Sequence, residues 1–172
     1  MKTTNWTIDT AHSEIAFKVK HMMISTVTGH FEEFNASIES DNDDFKNPKI
    51  SFSAKIDSIN TKNKDRDTHL KSDDFFNAET YPEMKFTSSE FDGEKLTGDL
   101  TIRDVTKTVE LMVDFNGIAV DPYGQTKAGF EIRGEINRKD FNLTWSAITE
   151  AGSIVVSDKV KILVDAQFIK QD

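Results

Sequence analysis

The stretch WTIDTAHSEIAFKVKHMMISTVTGHF, residues 6–31, sets the pattern of the whole chain. From residue 12 to residue 21 it alternates strictly, and a period of two predicts a half-buried β-strand because successive side chains point to opposite faces. The apolar face comprises Ile15, Phe17, Val19 and His21. This face ends in a histidine, and a turn is predicted soon after it, around Thr28 and Gly29. Such a strand, with an apolar inner face and a polar group at its end, is typical of a β-barrel around an enclosed space.

The composition describes one acidic domain, predicted to span residues 1–172. The formal net charge of −9 repels phosphate backbones and anionic bilayers, which argues against nucleic-acid binding and against membrane docking through a basic patch. There is no cysteine, so disulfides, thiol catalysis and thiolate metal sites are excluded.

No targeting signal or membrane span is visible in the sequence. The opening residues MKTTNWTIDT lack the apolar segment of a secretory signal. No apolar run approaches the roughly 20 residues that cross a bilayer. We therefore expect a cytoplasmic protein with no stable membrane insertion.

The alternation recurs along the chain and gives about eight strands in all. The apolar faces of the later strands contain Phe34, Ala36 and Ile38; Ile50, Phe52, Ala54 and Ile56; Met84 and Phe86; Leu96, Leu100 and Ile102; Val109, Leu111, Val113 and Phe115; Ala128, Phe130, Ile132 and Ile136; and Val160, Ile162, Val164, Ala166 and Phe168. Gly98 is predicted to mark a bulge or bend. Many strands with short polar turns indicate an antiparallel barrel or sandwich, and one apolar face per strand argues against a parallel sheet.

One segment departs from this rhythm. Residues 62–74, KNKDRDTHLKSDD, carry charges at helical spacing, with Leu70 as the only large apolar residue before Phe75 and Phe76. The pattern predicts a short helix across one end of the barrel, with the two phenylalanines pointing inward.

The histidines are the main candidates for chemistry. His12, His21, His30 and His69 show neither the H-x-H nor the HExxH spacing of zinc sites, so no metal site is predicted. A triad of Asp9, His12 and Ser13 is not favoured, because neighbouring strand residues point to opposite faces. The charged turn at Arg138 is predicted to be a structural corner, with Arg138 or Trp145 as alternative pocket-lining residues. With these sites excluded, the remaining candidate is the set of apolar residues predicted to point inward. An eight-stranded barrel either packs such residues solidly or holds one small ligand.

Several motifs together point to a family. They are WTID with HS at residues 6–13, residues 17–21, Gly29 with Phe31, SINT at 58–61, RDTHLKS at 66–72 with DFF at 74–76, YP at 81–82, GDLTI at 98–102 with VTK at 105–107, and RKDF at 138–141. With these motifs the sequence resembles the YceI-like family of lipocalin-like, polyisoprenoid-binding proteins over essentially its whole length. Asn142 stands where the family pattern has glycine, and asparagine tolerates the left-handed backbone that such a turn needs.

The resemblance implies an all-β fold, an extended eight-stranded antiparallel barrel with the helix of residues 62–74 near one end. It also implies a hydrophobic tunnel for a long-chain isoprenoid or fatty lipid, a homodimer, no catalytic residues and no cofactor other than the bound lipid. Many members are periplasmic. We predict non-enzymatic binding of a polyprenyl or quinone tail for transport, storage or sequestration.

The predicted wall rests on strand parity, with Phe75 and Phe76 as a lid and a histidine near the headgroup. It comprises Phe17, Val19, His21, Phe34, Phe52, His69, Phe75, Phe76, Phe86, Phe130, Ile132 and Trp145. Two other hypotheses remain open. The first is an enzyme acting on a lipid-like substrate, with His21, His69 and Arg138 at the tunnel mouth. The second is a solid barrel that binds partners on its surface.

Overall fold

The computed structural model describes residues 3–41, 44–146 and 155–171. These residues form one sheet, one α-helix and three short 3₁₀ turns. The strands are β1 (Thr3–Ile8), β2 (Glu14–His21), β3 (Ser25–Phe31), β4 (Phe34–Asp41), β5 (Lys46–Lys55), β6 (Ile59–Asn60), β7 (Glu83–Phe91), β8 (Lys95–Ile102), β9 (Val105–Val120), β10 (Thr126–Asn137) and β11 (Val156–Lys170). Helix α1 is Lys64–Lys71, and the 3₁₀ turns are Thr10–His12, Ile56–Ser58 and Arg138–Phe141.

Eight of the strands close into an antiparallel barrel, as predicted. The order around it is β1, β4, β5, β7, β8, β9, β10 and β11, and β11 pairs again with β1. Closure leaves no free edge in this ring, which removes the unpaired backbone groups that an open sheet exposes.

The length of β11 explains why the barrel is extended. Its last residues pair with β1, where Phe168 lies opposite Ile8. Its first ten or so residues pair instead with β2, where Ile162 lies opposite Phe17. Strands β3 and β6 then continue the sheet beyond β2. The wall is therefore taller on this side than the eight-stranded ring alone.

The eight predicted strands are all present, and three more were missed: β1, β3 and β6. The first predicted strand begins two residues late, at Glu14, because Thr10–His12 form a 3₁₀ turn capped by the side chain of Asp9. The predicted irregularity at Gly98 is present as a register shift between Ser88 and Glu90 of β7, opposite Gly98.

The predicted turn at Thr28 and Gly29 is wrong. Both residues lie inside β3, and the chain reverses earlier, at Met22 and Met23, whose φ angles are 52° and 59°. Gly29 serves a close approach instead, since a Cβ there would lie 2.2 Å from the Cζ atom of Phe17. Turn composition pointed to the wrong place, because methionine is not a residue that predicts a turn.

Helix α1 confirms the short helix predicted within residues 62–74. The side chain of Asn63 caps it by accepting a hydrogen bond from the Arg66 N–H at 3.0 Å. The segment that follows lies over one end of the barrel, with Phe75 and Phe76 pointing inward. Within the three described ranges, no helix is long and apolar enough to cross a membrane.

Aromatic rings close the other end of the barrel. Phe45 lies 4.9 Å from Trp6, 5.5 Å from Phe115 and 5.2 Å from Phe130, measured between ring centroids. Phe168 packs edge-on against Phe130 at 5.9 Å. Large rings in tilted and edge-on contact fill this end without polar atoms that would need partners, apart from the Trp6 indole N–H.

A charged cluster ties the end of β1 to the β9–β10 hairpin. The Lys127 ammonium lies 2.8 Å from Asp9 and 3.2 Å from Asp121, and all three side chains are largely buried. The Lys127 hydrogen bond lowers the pKa of Asp9. Burial alone would raise the pKa of Asp121, but hydrogen bonds from the Gln125 and Tyr123 N–H groups and from Lys127 outweigh it and lower the pKa. The bond to Asp9 in turn raises the pKa of Lys127.

We expect this cluster to make the barrel sensitive to acid. Lowered carboxylate pKa values stabilise the folded state above the unfolded-state pKa of about 4, and the effect is lost as the pH falls through the folded-state values. The raised pKa of Lys127 contributes fully below about pH 10.4 and is lost only above that. Asp9→Asn should therefore flatten the dependence of the free energy of unfolding on pH below about 4. Urea denaturation across a pH series measures this. Asp114→Asn is the control because the Asp114–Arg133 pair is more than half exposed. Equal pH slopes in Asp9→Asn and wild type would contradict the prediction.

Candidate functional site

The barrel contains a cavity of about 190 Å³ under the α1 segment, which consists of helix α1 and the residues that follow it up to Phe76. A water molecule requires roughly 10–15 Å³ of such space, so the interior is hollow on a scale well above solvent. Among the described lining residues, Arg138 is the only one that is not hydrophobic. A solid barrel is therefore not the arrangement that this sequence adopts.

A smaller cavity of about 40 Å³ lies next to the first, toward the aromatic end. The two share four lining residues, Ile50, Leu96, Ile132 and Phe168, so they form consecutive parts of one apolar space. Phe45 lines only the smaller cavity and belongs to the ring cluster that closes the barrel. Phe45 is therefore positioned as the end wall.

The α1 segment covers the larger cavity and is held by Arg103, in the turn between β8 and β9. The Arg103 guanidinium donates to the backbone carbonyls of Asp73 at 3.2 Å and Phe75 at 3.0 Å. It also stacks over the Tyr81 ring at 5.7 Å. Leu70, Phe75 and Phe76 of the segment border the cavity. Phe75 and Phe76 therefore point inward, and their role as a lid stays a prediction.

Arg138 fastens the start of β11 to the 3₁₀ turn that follows β10. Its side chain is 3% exposed. Its Nη1 donates to the carbonyls of Leu143 at 2.6 Å and Trp145 at 2.7 Å, and its Nε donates to Ser157 at 2.9 Å. Nη2 completes the set by donating to the carbonyl of Val156 at 3.3 Å.

These bonds use four of the five N–H groups of Arg138, and Nη2 also lies 3.6 Å from a carboxylate oxygen of Asp158, so the side chain is engaged by the protein rather than open to a ligand. Burial lowers the pKa of the guanidinium, and Asp158 at 3.6 Å opposes this. Asn142 adopts the left-handed conformation expected of it, with φ of 61°. The RKDF motif is thus a structural corner, as predicted, and it also borders the cavity.

The histidines do not line the cavity. His21 is exposed at the end of β2, and His69 forms a 2.8 Å contact with Asp74 while its ring packs edge-on against Phe75 and Trp145. Both lie at the Arg138 end: Val156 pairs with His21, and the Trp145 carbonyl binds Arg138. Their neighbours differ: His21 pairs through its backbone with Val156, whereas the His69 side chain contacts Asp74 and packs against Trp145.

The other chemical candidates also separate. His12 contacts Asp9 at 2.8 Å, whereas the Ser13 hydroxyl accepts a hydrogen bond from the Gln167 N–H at 3.0 Å. No triad is assembled from these residues. In the described part of the chain, no three histidine or acidic side chains come together in a way that would hold a metal ion.

The structure places the predicted wall residues in three groups. The larger cavity is bordered by Phe17, Val19, Phe52, Phe75, Phe76, Phe86 and Ile132. Phe130 borders the smaller one. His21, His69, Phe34 and Trp145 border neither: Phe34 packs in the core at the start of β4, and the Trp145 ring rests on Phe75 and His69. The parity of β8, β9 and β11 would have found further wall residues, such as Leu100, Val109 and Ile162.

A family model of the YceI-like domain matches residues 6–168. The chain belongs to the YceI-like family. A UPF0312 protein of Staphylococcus aureus strain MSSA476 is 37% identical to it over 166 residues, which cover 96% of this chain and 97% of that protein. A solved YceI protein of Campylobacter jejuni is also 37% identical, with a TM-score of 0.73 and coverage of 89% of this chain and 90% of that one.

Two more distant structures share the fold of this YceI-like chain. BcnA of Burkholderia cenocepacia has a TM-score of 0.78 at 24% identity, over 93% of this chain and 98% of its own. A polyisoprenoid-binding domain of Saccharophagus degradans has a TM-score of 0.71 at 15% identity, over 96% of this chain and 98% of its own.

Proposed function

We propose that this protein is a non-enzymatic carrier that encloses the chain of a long isoprenoid, such as a polyprenyl or quinone tail, or of a similar lipid. The observation that carries the proposal is the apolar cavity, in which Arg138, the one polar residue of the described lining, is engaged by four backbone carbonyls. Such a wall offers no hydrogen bond to a ligand, so it suits a hydrocarbon. The polyisoprenoid-binding domain of Saccharophagus degradans has the same fold, which supports this choice of ligand class.

The physical driving force is the removal of hydrocarbon from water. Burial of each CH₂ group contributes about 0.8 kcal/mol, and ordering of the flexible chain offsets part of that gain. An apolar wall discriminates weakly between chains that differ by one methylene, by roughly 1–3 kcal/mol at most. We therefore expect a class of long-chain lipids rather than one molecule.

An enzyme acting on a lipid-like substrate is less well supported. General acid–base catalysis needs a titratable side chain within hydrogen-bond reach of the substrate. None of the described cavity-lining residues titrates near neutral pH.

The test is native mass spectrometry of gently purified protein, followed by organic extraction. We expect a bound species with an isoprenoid-like or other long-chain lipid mass, and the same spectrum reports whether the protein is the homodimer that we propose. Protein that is recovered empty is then mixed with a polyprenyl alcohol. Failure to retain that alcohol would contradict the carrier function.

The end wall at Phe45 leads to a prediction on chain length. Phe45→Ala removes the ring that closes the smaller cavity, so the apolar space lengthens and longer chains are expected to fit. Loading with a series of polyprenyl alcohols and native mass spectrometry should show the preferred length shift upward. Phe115→Ala is the matched control, because Phe115 packs on Phe45 but lines neither cavity. The same preferred length in both variants would rule out Phe45 as the end wall.

A further inference from the structure

We propose that the β2–β3 hairpin and its neighbouring lysines form a docking surface for an anionic lipid bilayer. The docking surface comprises Met22, Met23, Ile24, Lys18, Lys20 and Lys161. It adds a partner to the proposed function and lies outside the cavity, so it is tested separately.

The tip of the hairpin is apolar and exposed. Met23 is 63% exposed and Ile24 is 81% exposed. Met22, Met23 and Ile24 form the turn between the paired residues His21 and Ser25, and the Ile24 N–H donates to the His21 carbonyl at 3.2 Å. Consecutive apolar side chains at the point of a hairpin gain nothing from water, whereas they would be buried in the interfacial region of a bilayer.

The backbone of this turn is strained at both methionines. Both methionines have positive φ angles, 52° and 59°. Hairpin turns of this kind favour asparagine and glycine, which adopt the left-handed region with the least strain. Two long apolar residues occupy it here, although neither turn geometry nor core packing calls for them. Backbone strain of this kind clusters at functional sites, which agrees with a role for the exposed tip.

Lysines flank the tip on the outer face of the sheet. Lys18 of β2 lies directly opposite Lys161 of β11, an arrangement of like charges that destabilises a sheet. Lys20 follows on the same face, and its ammonium donates to the Thr26 hydroxyl at 2.9 Å. In the parts of the chain that the structure describes, none of the three lysines forms an ion pair with a carboxylate. They are therefore free to meet anionic headgroups.

This local charge overrides the argument from the net charge of the chain. Exposed charges are screened over about 10 Å at 0.1 M salt, so carboxylates farther away act weakly on this surface. Glu135 is a near one, opposite Lys161, but it forms its ion pair with Lys159 at 3.7 Å. Each lysine near an anionic membrane strengthens binding about fivefold. The prediction from composition, which argued against membrane docking, treated the charge as if it were spread evenly.

The docking surface lies at the end of the barrel where Arg138 borders the cavity. Val19 lines the cavity, and the tip begins three residues farther along, about 10 Å at the rise of a strand. The Met22 N–H donates to the Val155 carbonyl at 2.8 Å, next to Val156, which also lines the cavity. A docked protein would thus hold this end of its apolar space against the bilayer, where a lipid carrier would exchange its ligand.

Vesicle co-sedimentation of the full-length protein tests the proposal. Wild type is expected to sediment with phosphatidylcholine vesicles that contain phosphatidylglycerol, less with phosphatidylcholine alone, and less at high salt. Ile24→Asp should reduce binding about tenfold or more, since it replaces inserted apolar surface with a charge. Lys18→Glu should reduce binding at least fivefold.

Two control variants distinguish an effect of this surface from a general effect of net charge or of exposed apolar side chains. Tyr123→Asp alters a 90% exposed side chain on the β9–β10 hairpin, at the opposite end of the barrel, and should bind like wild type. Lys49→Glu, on the exposed face of β5, makes the same change in net charge as Lys18→Glu and should also have little effect.

Three results would overturn the proposal: no sedimentation of wild type with anionic vesicles, undiminished binding by Ile24→Asp, or equal losses in Lys18→Glu and Lys49→Glu. If Ile24→Asp turned dimers into monomers without changing sedimentation, the tip would belong to a contact between two copies of the chain. Lipid retention is measured on the same samples. If the protein retained lipid but did not bind vesicles, the docking surface would be rejected and the proposed carrier function would stand.

Discussion

Phe52→Asp should yield a folded barrel that co-purifies with no lipid. Phe52 borders the larger cavity from β5 and lies opposite Ala36 of β4 and Phe86 of β7. Arg138, the one cation in the described wall, is already engaged by backbone carbonyls, so burying a carboxylate under a hydrocarbon chain costs on the order of several kcal/mol. The side chain will hold water in the cavity instead. Native mass spectrometry with organic extraction should therefore show near-complete loss of the ligand.

Ser51→Asp is the matched control for this change. Ser51 precedes Phe52 on the same strand and is exposed on the opposite face, so the same new carboxylate stays in solvent. Ala36→Phe provides a second route to the same result, since it fills the cavity without adding charge. Lipid retention at the wild-type level in a folded Phe52→Asp or Ala36→Phe variant would contradict the binding site. Circular dichroism and thermal unfolding establish which variants are folded.

Arg138→Met is expected to be the most destabilising single substitution among those considered. It removes the donors for the carbonyls of Leu143, Trp145, Val156 and Ser157, which would remain without these partners at the start of β11. Unsatisfied buried groups cost about 1–3 kcal/mol each, although some will find water. We expect a loss of about 3 kcal/mol, which corresponds to a fall in Tm of roughly 6–12 °C for a chain of this length.

Lys139→Met tests whether this effect belongs to the guanidinium. Lys139 is the next residue, and its ammonium lies 3.4 Å from Asp158 with both side chains about 40% exposed or more. Such a pair contributes little, about 0–1 kcal/mol. Thermal unfolding of the two variants should differ clearly. Arg138→Lys keeps the charge without the planar fork and should recover only part of the stability. A Tm equal to that of wild type in Arg138→Met would disprove the structural role.

Strand parity alone predicted much of the cavity wall. Phe17, Val19, Phe52 and Phe86 border the cavity because alternation in a strand assigns each side chain to one face, and only one face of a closed barrel is inside. The same rule failed for His21. Parity places it on the inner face, but the residue lies at the end of β2, where the wall no longer encloses it.

Local sequence rules failed where a distant partner decided the conformation. Gly29 looked like a turn residue, yet it stays inside β3 because the Phe17 ring packs against its backbone. Met22 and Met23 form the turn although their type does not favour it. Strand β1 does alternate, with Thr4, Trp6 and Ile8 buried, but it is only six residues long and carries two large apolar side chains, so its local signal is weak.

The sequence by itself determined the alternation of faces, the short helix, the absence of catalytic spacing and the family, because each depends on residue type at short range or on whole motifs. The tertiary structure decided three other things. The cavity exists because the ring of strands closes at β1 and β11 over more space than its side chains fill. Arg138 came to hold β11 in place because the fold brings the carbonyls of Val156 and Ser157, 18 and 19 positions away, to its guanidinium. Lys18 and Lys161, 143 positions apart, came to face each other because β2 and β11 pair in that register. Such contacts join residues far apart in the chain, and no local pattern encodes them.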